Sequence, residues 1–299
     1  MSGDFGNSLI RFLKKVKRRI FPSGEGTAAY ARQLRRELER AGVAFAGKSK
    51  PVLIHTYGKV GSTAIHNQIA QLPGFDSFQT HFISEEGVAE AGRLHRDHDS
   101  DPIHLQLGDR LRDELRRHPD KEVRMITLVR DPVARAVSDL FENPNLLVET
   151  GDLRSMSLEQ VVEMAAEHLR RSVEYTEKWF DRELSGLLGF DFFAKPFDKE
   201  AGFSIIREGR FSLLAGKLEL LSKNGGRYLG EFLDRESELD IPTRRARSAT
   251  GEASLYRQVR ANLRLPEEVL NEVYESRVQR HFYTGEEIAE FREAWVSPE

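Results

Sequence analysis

The segment VLIHTYGKVGSTAIHNQI, which runs from Val52 to Ile69, constrains the fold of this chain more than any other stretch. Its apolar start is typical of a buried strand, and a turn that contains Gly58 and Gly61 follows. Ile65 and Ile69 then stand four residues apart, as on one face of a helix. A strand, a glycine turn and a helix in this order present backbone N–H groups to an anion. The segment therefore predicts an α/β fold with an anion-binding loop.

The loop departs from the pattern of nucleotide triphosphatases. That pattern has four residues between its glycines and a Lys directly before Ser or Thr. Here Gly58 and Gly61 are only three positions apart, and Lys59 precedes the second glycine. The loop is therefore not expected to hold the β- and γ-phosphates of ATP.

Apolar strands alternate with amphipathic helices from Pro51 onward. This alternation predicts a parallel sheet with crossover helices, in an α/β, P-loop-like three-layer fold with helical additions at both ends. We expect a basic N-terminal helical extension over residues 1–50 and a single α/β domain over 51–299. Within them, the patterns predict a helix that ends at Gly42, strands at 51–57, 75–82 and 123–130, a helix stopped by Pro119, another from Pro132, a mostly helical stretch over 157–188, strand material over 203–218, and helices thereafter.

The composition excludes several classes of protein. The net charge of −3 argues against a general nucleic-acid binder, which is usually basic over its binding domain. The chain has no cysteine, which excludes disulfides, thiolate metal sites and a Cys nucleophile. No apolar run approaches the roughly 18 residues that a membrane-spanning helix needs, and basic residues interrupt the N-terminal apolar stretch that a signal peptide would require. A cytoplasmic protein is expected.

Residues 1–50 carry 12 Lys or Arg and only 4 Asp or Glu. Within them, SLIRFLKKVKRRIF has apolar residues at helical spacing among the basic ones. A basic amphipathic helix over residues 5–21 can lie on an anionic membrane, which would place the protein at the inner face. A helix docked on its own domain and a frayed basic tail are the alternatives.

A second motif, LVRDPVARAVSDLFEN, begins as a buried strand that ends at Arg130. Asp131 has the position of a helix N-cap and Pro132 that of the first helical residue. Ser138 follows two turns into this helix. Since Arg grips phosphate through a bidentate fork and ligands of open α/β folds lie at the carboxyl ends of strands, Arg130 and Ser138 predict a second anion site. Two such sites indicate a ligand with two separated phosphate-like groups.

The KVGST loop together with RDPVARAVS resembles the sulfotransferases that use 3′-phosphoadenosine-5′-phosphosulfate (PAPS). The resemblance implies transfer of a sulfuryl group to a hydroxyl, adenosine 3′,5′-bisphosphate as the product, and no metal. It also implies that Arg130 and Ser138 hold the 3′-phosphate. The implied contacts of the 5′-phosphosulfate are Lys59, Val60, Gly61, Ser62, Thr63 and Ala64, with Lys59 also stabilising charge on the bridging oxygen.

Three later segments, EKWFDREL, FDKEAGF and RHFYTGEEIAEFREAW, are similar to a bacterial branch labelled as capsular polysaccharide synthesis proteins. This similarity implies a carbohydrate or polysaccharide acceptor. One departure is that the Gly-rich segment which closes over the nucleotide in cytosolic sulfotransferases has no clear match. The basic stretch Arg244–Arg247 is the candidate to replace it.

His81 is the candidate general base. It ends the second predicted strand and so belongs at the same sheet edge as the loop, and some carbohydrate sulfotransferases have a catalytic His at the corresponding place. A capping or surface histidine is the alternative. Glu85 and Glu86 are expected to open the next helix, and His55 to lie in the core.

Large aromatic residues are mostly buried, so Trp179 and Phe180 are expected to pack a helix on the core rather than line an acceptor groove. His281–Tyr283 are expected to dock the last helix. Arg207 and Arg210 either meet an anionic acceptor or are solvated.

The chain is thus interpreted as a PAPS-dependent sulfotransferase. The alternatives are a P-loop kinase or phosphotransferase, and a non-catalytic accessory protein of glycan synthesis at the membrane surface.

Overall fold

The computed structural model describes residues 25–97, 103–144, 152–236, 238–241 and 251–296. Within these ranges, five strands form a sheet in the order β2-β1-β3-β5-β4. All neighbours are parallel except β4 and β5, which are antiparallel. The strands are β1 (Lys50–His55), β2 (Phe75–Thr80), β3 (Val123–Val129), β4 (Phe203–Glu208) and β5 (Phe211–Lys217).

Helices cover the sheet and extend beyond it at the C-terminal side. Those of six or more residues are α1 (Glu25–Ala46), α2 (Ser62–Ile69), α3 (Glu85–Asp97), α4 (Ile103–Arg117), α5 (Pro132–Glu142), α6 (Leu158–Trp179), α7 (Gly226–Phe232), α8 (Gly251–Asn262), α9 (Glu267–Tyr274), α10 (Arg277–Phe282) and α11 (Gly285–Trp295). A wider, π-helical turn at Phe180–Ser185 follows α6, and another at Leu221–Gly225 precedes α7. In the part of the chain described, no helix has the length and apolar character needed to cross a membrane.

The central strands are buried because helices cover both faces of the sheet. Leu53 and Ile54 of β1 and Met125 and Ile126 of β3 have no exposed surface. Such continuous apolar runs are typical of parallel strands buried on both sides. The predicted α/β fold, with its mainly parallel sheet flanked by helices, is confirmed.

The strand registers bring the carboxyl ends of neighbouring strands to one edge of the sheet. His55 is level with Thr80 across β1 and β2, and Val129 is level with Lys217 across β3 and β5. The segments that follow these strands therefore meet at one edge, where ligands of open α/β sheets bind.

The predicted end of the first helix at Gly42 is wrong, because α1 continues to Ala46. Ala44 and Phe45 in the added turn are almost fully buried in the main core. Their burial outweighs the cost of a glycine inside a helix, which is about 1 kcal/mol. Gly42 also lies against the Arg110 guanidinium, which a Cβ at this position would displace.

A second apolar core joins α5 and α6 to the C-terminal helices α8, α9 and α11. As predicted, α5 begins at Pro132, and the Asp131 carboxylate caps it by accepting the Val133 and Ala134 backbone N–H groups. The core thus fixes the helix that follows Arg130.

Candidate active site

The loop between β1 and α2 has a left-handed backbone at three positions. The φ angles are 87° at Gly58, 61° at Lys59 and 88° at Gly61. Lys59 is a non-glycine residue in this region, a strain that proteins mostly keep at functional sites. Gly61 precedes α2 and has no side chain to cap it, so the N–H groups of the first helical turn lack that partner.

Ser62 and Thr63 are held from the neighbouring strand. The Gln79 side-chain amide donates to Ser62 Oγ at 3.0 Å and to Thr63 Oγ1 at 3.4 Å. Val60 is fully buried, so its side chain belongs to the core. The Ala64 N–H already donates to the Gly61 carbonyl at 3.1 Å.

The loop and the second motif are in direct contact. Arg130 Nη1–H donates to the Lys59 carbonyl at 3.1 Å, and one guanidinium carries further N–H donors. Lys59 Nζ lies 3.6 Å from Glu142 Oε1. Ser138 precedes Glu142 by four residues, so the two share the face of α5 that Glu142 turns toward the loop. The two predicted anion sites therefore adjoin one another.

Asp131 is surrounded by partners and does not face the loop as a reactive group. Besides capping α5, its carboxylate accepts the Tyr274 hydroxyl at 2.5 Å and the Trp295 indole N–H at 3.0 Å. The Asp131 backbone N–H donates to Glu219 Oε1 at 2.8 Å. Burial raises the pKa of both the Asp131 and the Glu219 carboxyl groups.

His81 follows directly after β2, beside the loop. Its Nδ1 lies 2.6 Å from the Thr56 carbonyl, which can only accept, so Nδ1 carries the proton and Nε2 has a lone pair. Gly58 adjoins this atom, since an added Cβ there would be 4.0 Å from Nε2. Burial lowers the pKa of His81 to about 4, and the nearby positive charge of Lys59 acts in the same direction. His81 is therefore neutral at physiological pH.

The other sequence predictions are tested by burial. Trp179 and Phe180 have no exposed surface, so their predicted packing role is confirmed. His55 lies in the core, and Glu85 and Glu86 open α3, both as predicted. Phe282 and Tyr283 are buried, and the Tyr283 ring packs at 5.3 Å from Phe291 in the last helix.

Two arginines considered for an anionic acceptor differ in their contacts. Arg210 donates to the carbonyls of Leu115 and His118, which joins β5 to the end of α4. Arg207 is exposed near the end of β4.

Sequence reasoning missed three residues that shape this site. Gln79 is two positions before His81, and strand alternation would have placed both on one side of the sheet. Glu142 follows Ser138 by one helical turn, so helical spacing would have placed it on the same face of α5 as Ser138. Glu183, whose carboxylate binds the segment after His81, gave no signal, because it is 99 residues away from its partner Ser84.

Two predictions lie outside the described residues. These are the membrane-binding helix over residues 5–21 and the closing segment at Arg244–Arg247. Among the residues that are described, no cluster of three or more His, Cys, Asp or Glu side chains is arranged to hold a metal ion.

Comparison with known proteins gives one result. Residues 153–284 match the model of a family described as "Putative capsular polysaccharide synthesis protein". The match spans less than half of the chain, from before α6 to the end of α10, and it does not include the loop, His81 or Arg130. No curated protein and no solved structure matches the chain. The similarity to a family of capsular polysaccharide synthesis proteins is thus found in the region that contains EKWFDREL and FDKEAGF.

Proposed function

We propose that this protein is a sulfotransferase that moves a sulfuryl group from PAPS to a hydroxyl of a carbohydrate. One observation carries the proposal: a neutral histidine, His81, has its unprotonated nitrogen beside Gly58 of the loop that is predicted to bind an anion, and the Lys59 carbonyl of this loop accepts a hydrogen bond from Arg130. A base, a cationic anion loop and a second phosphate-binding Arg are the groups that such a transfer needs.

The residues at this edge fit the two anionic ends of the donor. The uncapped first turn of α2, Lys59 and the hydroxyls of Ser62 and Thr63 would hold the 5′-phosphosulfate. Arg130 and Ser138 would hold the 3′-phosphate. When bound, PAPS supplies an activated sulfuryl group and leaves as adenosine 3′,5′-bisphosphate.

The chain's own residues then have separate tasks. His81 Nε2 accepts the proton of the acceptor hydroxyl, which becomes a better nucleophile as the proton departs. The Thr56 carbonyl keeps the proton of the ring on Nδ1 and so keeps Nε2 available. Lys59 places a positive charge at the loop, where it stabilises negative charge as it develops.

The carbohydrate acceptor is the part of the proposal that rests on the family match. The description of the family names capsular polysaccharide synthesis, and polysaccharides offer hydroxyl groups as acceptors. The region that matches contributes the buried Trp179, which contacts the His81 backbone. The match therefore supports a sugar acceptor next to this base.

The test measures the transfer of labelled sulfate from PAPS to a panel of polysaccharides and small hydroxyl compounds. We expect transfer to at least one polysaccharide, and no transfer to any member would overturn the proposal. Thermal unfolding adds a test of the donor site alone, since a ligand that binds the native state raises the midpoint. Adenosine 3′,5′-bisphosphate should raise it, whereas a rise with MgATP alone would indicate a kinase.

Lys59→Ala and His81→Ala separate an enzyme from an accessory protein. Both should abolish the cellular activity of an enzyme. If both variants keep that activity while deletion of residues 1–20 removes it, the protein acts as a non-catalytic partner at the membrane.

A further inference from the structure

At its C-terminal end, α6 opens into the wide turn Phe180–Ser185, and two side chains around this turn hold the segment that carries His81. We propose that Trp179 and Glu183 are positioning residues, which fix the backbone of His81–Ser84 so that His81 faces the loop. This inference rests on the proposed function of His81 as a base. Wide turns of this kind inside α-helices are frequent at functional sites.

Trp179 contacts His81 itself. Its indole N–H donates to the His81 carbonyl at 2.7 Å, and the indole is fully buried. The Trp179 ring also packs at 4.9 Å from the His55 ring and 5.5 Å from the Tyr57 ring. One side chain thus joins the ends of β1 and β2 on either side of the proposed base.

Glu183 binds Ile83 and Ser84, which lie two and three residues after His81. Its Oε2 accepts the Ile83 and Ser84 backbone N–H groups at 2.8 Å and 2.9 Å, and its Oε1 accepts the Ser84 hydroxyl at 2.5 Å. A carboxylate that accepts two successive backbone N–H groups fixes the direction of that backbone.

The neighbourhood of Glu183 is shaped to accept a charged group. Glu183 has no exposed surface, and burying a carboxylate is costly unless it is fully hydrogen-bonded. A Cβ at Gly87 would overlap Glu183 Oε1, so the glycine leaves room for the carboxylate. An apolar residue would pack the same space at lower cost. Arg182 Nε also donates to Glu183 Oε1 at 3.1 Å, but Arg182 is the preceding residue of the same turn, so it is the hydrogen bonds to Ile83 and Ser84 that tie this turn to the His81 segment.

The imidazole is consequently held on two sides. Thr56 fixes the ring through Nδ1, while Trp179 and Glu183 fix the backbone on which the ring is mounted. A base must lie within hydrogen-bond reach of the proton that it removes, so a loosened backbone would lower turnover without removing the imidazole.

Trp179→Phe tests this role, and Trp295→Phe is the matched control. Each change removes one buried indole N–H, but Trp295 donates to Asp131 rather than to His81. Nitrogen NMR of the His81 imidazole and hydrogen exchange of the Ile83 and Ser84 amides are measured in both variants. In Trp179→Phe we expect a mixed tautomer at His81 and amide exchange faster by about fivefold to tenfold, the equivalent of one buried hydrogen bond. An unchanged His81 signal and unchanged exchange, or equal changes in the control, would overturn the inference.

Glu183→Gln is the second variant, with Glu114→Gln as its control. Both carboxylates are buried and pair with an arginine, Arg182 for Glu183 and Arg110 for Glu114, but the other ion-pair partners of Glu114, Arg117 and His118, lie at the end of α4. In folded Glu183→Gln we expect kcat to fall by about tenfold while the KM for PAPS stays within about twofold, as for loss of one preorganised contact behind a base. A fall shared by Glu114→Gln would indicate a general loss of stability and overturn the inference.

The two proposals fail in different ways. The NMR and exchange measurements need no turnover, so they test the hold on His81 directly. If the wild-type chain transfers no sulfate but Trp179→Phe disturbs His81, the proposed reaction is wrong and the positioning role of Trp179 is supported. If transfer occurs and His81 is undisturbed in both variants, the proposed reaction is supported and the positioning role of Trp179 and Glu183 is wrong.

Discussion

Two segments at the same sheet edge are held in different ways. The loop Tyr57–Thr63 has left-handed turns at Gly58 and Gly61 and leads directly into α2, so its own sequence encodes much of its shape, and the side chains of Gln79 and Arg130 add hydrogen bonds to it. The segment His81–Ser84 is held by side chains from the end of α6, about a hundred residues further along the chain. A loop that shapes itself can be read from a short motif, whereas a segment shaped by distant residues cannot. The difference also predicts that the two segments respond differently to mutation.

The largest effect should come from the residue on the distantly held segment. His81→Ala removes the proposed base but leaves the loop backbone intact, so kcat should fall by about 10²- to 10⁴-fold. Binding of adenosine 3′,5′-bisphosphate, measured by titration calorimetry, should stay close to that of the wild type. Lys59→Ala is the comparison from the loop, and it should weaken that binding as well as turnover, because it removes a positive charge from the proposed anion site. If His81→Ala binds the product poorly or turns over normally, His81 is not the base.

The self-shaped loop should be sensitive to a single methyl group at Gly61. Alanine there takes an unfavourable positive φ, and its Cβ would lie 2.6 Å from Leu218 Cδ1. We expect Gly61→Ala to lower the free energy of unfolding by about 2–3 kcal/mol. Urea unfolding measures the change.

Gly74→Ala is the matched control for this prediction. Gly74 also has a positive φ, of 83°, but an added Cβ meets nothing within 4 Å. It should cost only about 1–2 kcal/mol, the backbone part alone. Equal losses in the two variants would show that Leu218 moves aside and that contact across the sheet edge does not hold the loop.

The pH dependence of transfer should reflect the environment of His81. Burial, with Lys59 and His55 nearby, lowers its pKa to about 4, although the hydrogen bond to the Thr56 carbonyl and the charge of Asp139 act in the opposite direction. Because the neutral ring is the base, kcat/KM should stay constant as pH falls from 8 to about 5, then drop about tenfold per unit below about 4. Stability should depend on pH in the same direction as turnover. Any contribution of neutral His81 to the free energy of unfolding is present above the pKa of about 6.5 in the unfolded chain, and it is lost as pH falls through the lower pKa of the folded state. Initial rates, taken with circular dichroism to confirm folding, check this, and an acid limb near pH 6.5 that disappears in His81→Ala would contradict it.

Much of the fold was predictable because its signals are local. The apolar runs of β1 and β3 and the Asp131-Pro132 start of α5 each identify an element within a few residues. The end of α1 was not, since Gly42 gives a stop signal that burial of Phe45 overrides. Propensity is a weak signal when an apolar residue beyond it can be buried.

The residues of the candidate site also differ in whether a local signal in the sequence indicates them. The positions of the loop, Arg130 and His81 at one sheet edge could be predicted because each follows a recognisable strand, while their roles stay predictions. Glu183 was not, because a single Glu in a helical stretch reads as an exposed residue until its partners, a hundred positions earlier, are known. Trp179 was expected to pack the core, and it does, but no local pattern indicates that its N–H donates to the His81 carbonyl.

The smallest effect should come from Glu142, which joins the loop to α5 from the solvent side. Its carboxylate lies 3.6 Å from Lys59 Nζ, and the Glu142 side chain is 50% exposed. Exposed ion pairs contribute about 0–1 kcal/mol, so Glu142→Gln should leave stability almost unchanged. Because the carboxylate also competes for the charge of Lys59, its removal should raise the affinity for adenosine 3′,5′-bisphosphate by about twofold to fivefold, an effect that added salt weakens.

Glu174→Gln breaks an exposed pair with Lys178 on α6 and controls for the change in net charge. A lower affinity in Glu142→Gln alone would mean that Glu142 orders Lys59 for binding, and the loop would then depend on a distant side chain much as the His81 segment does.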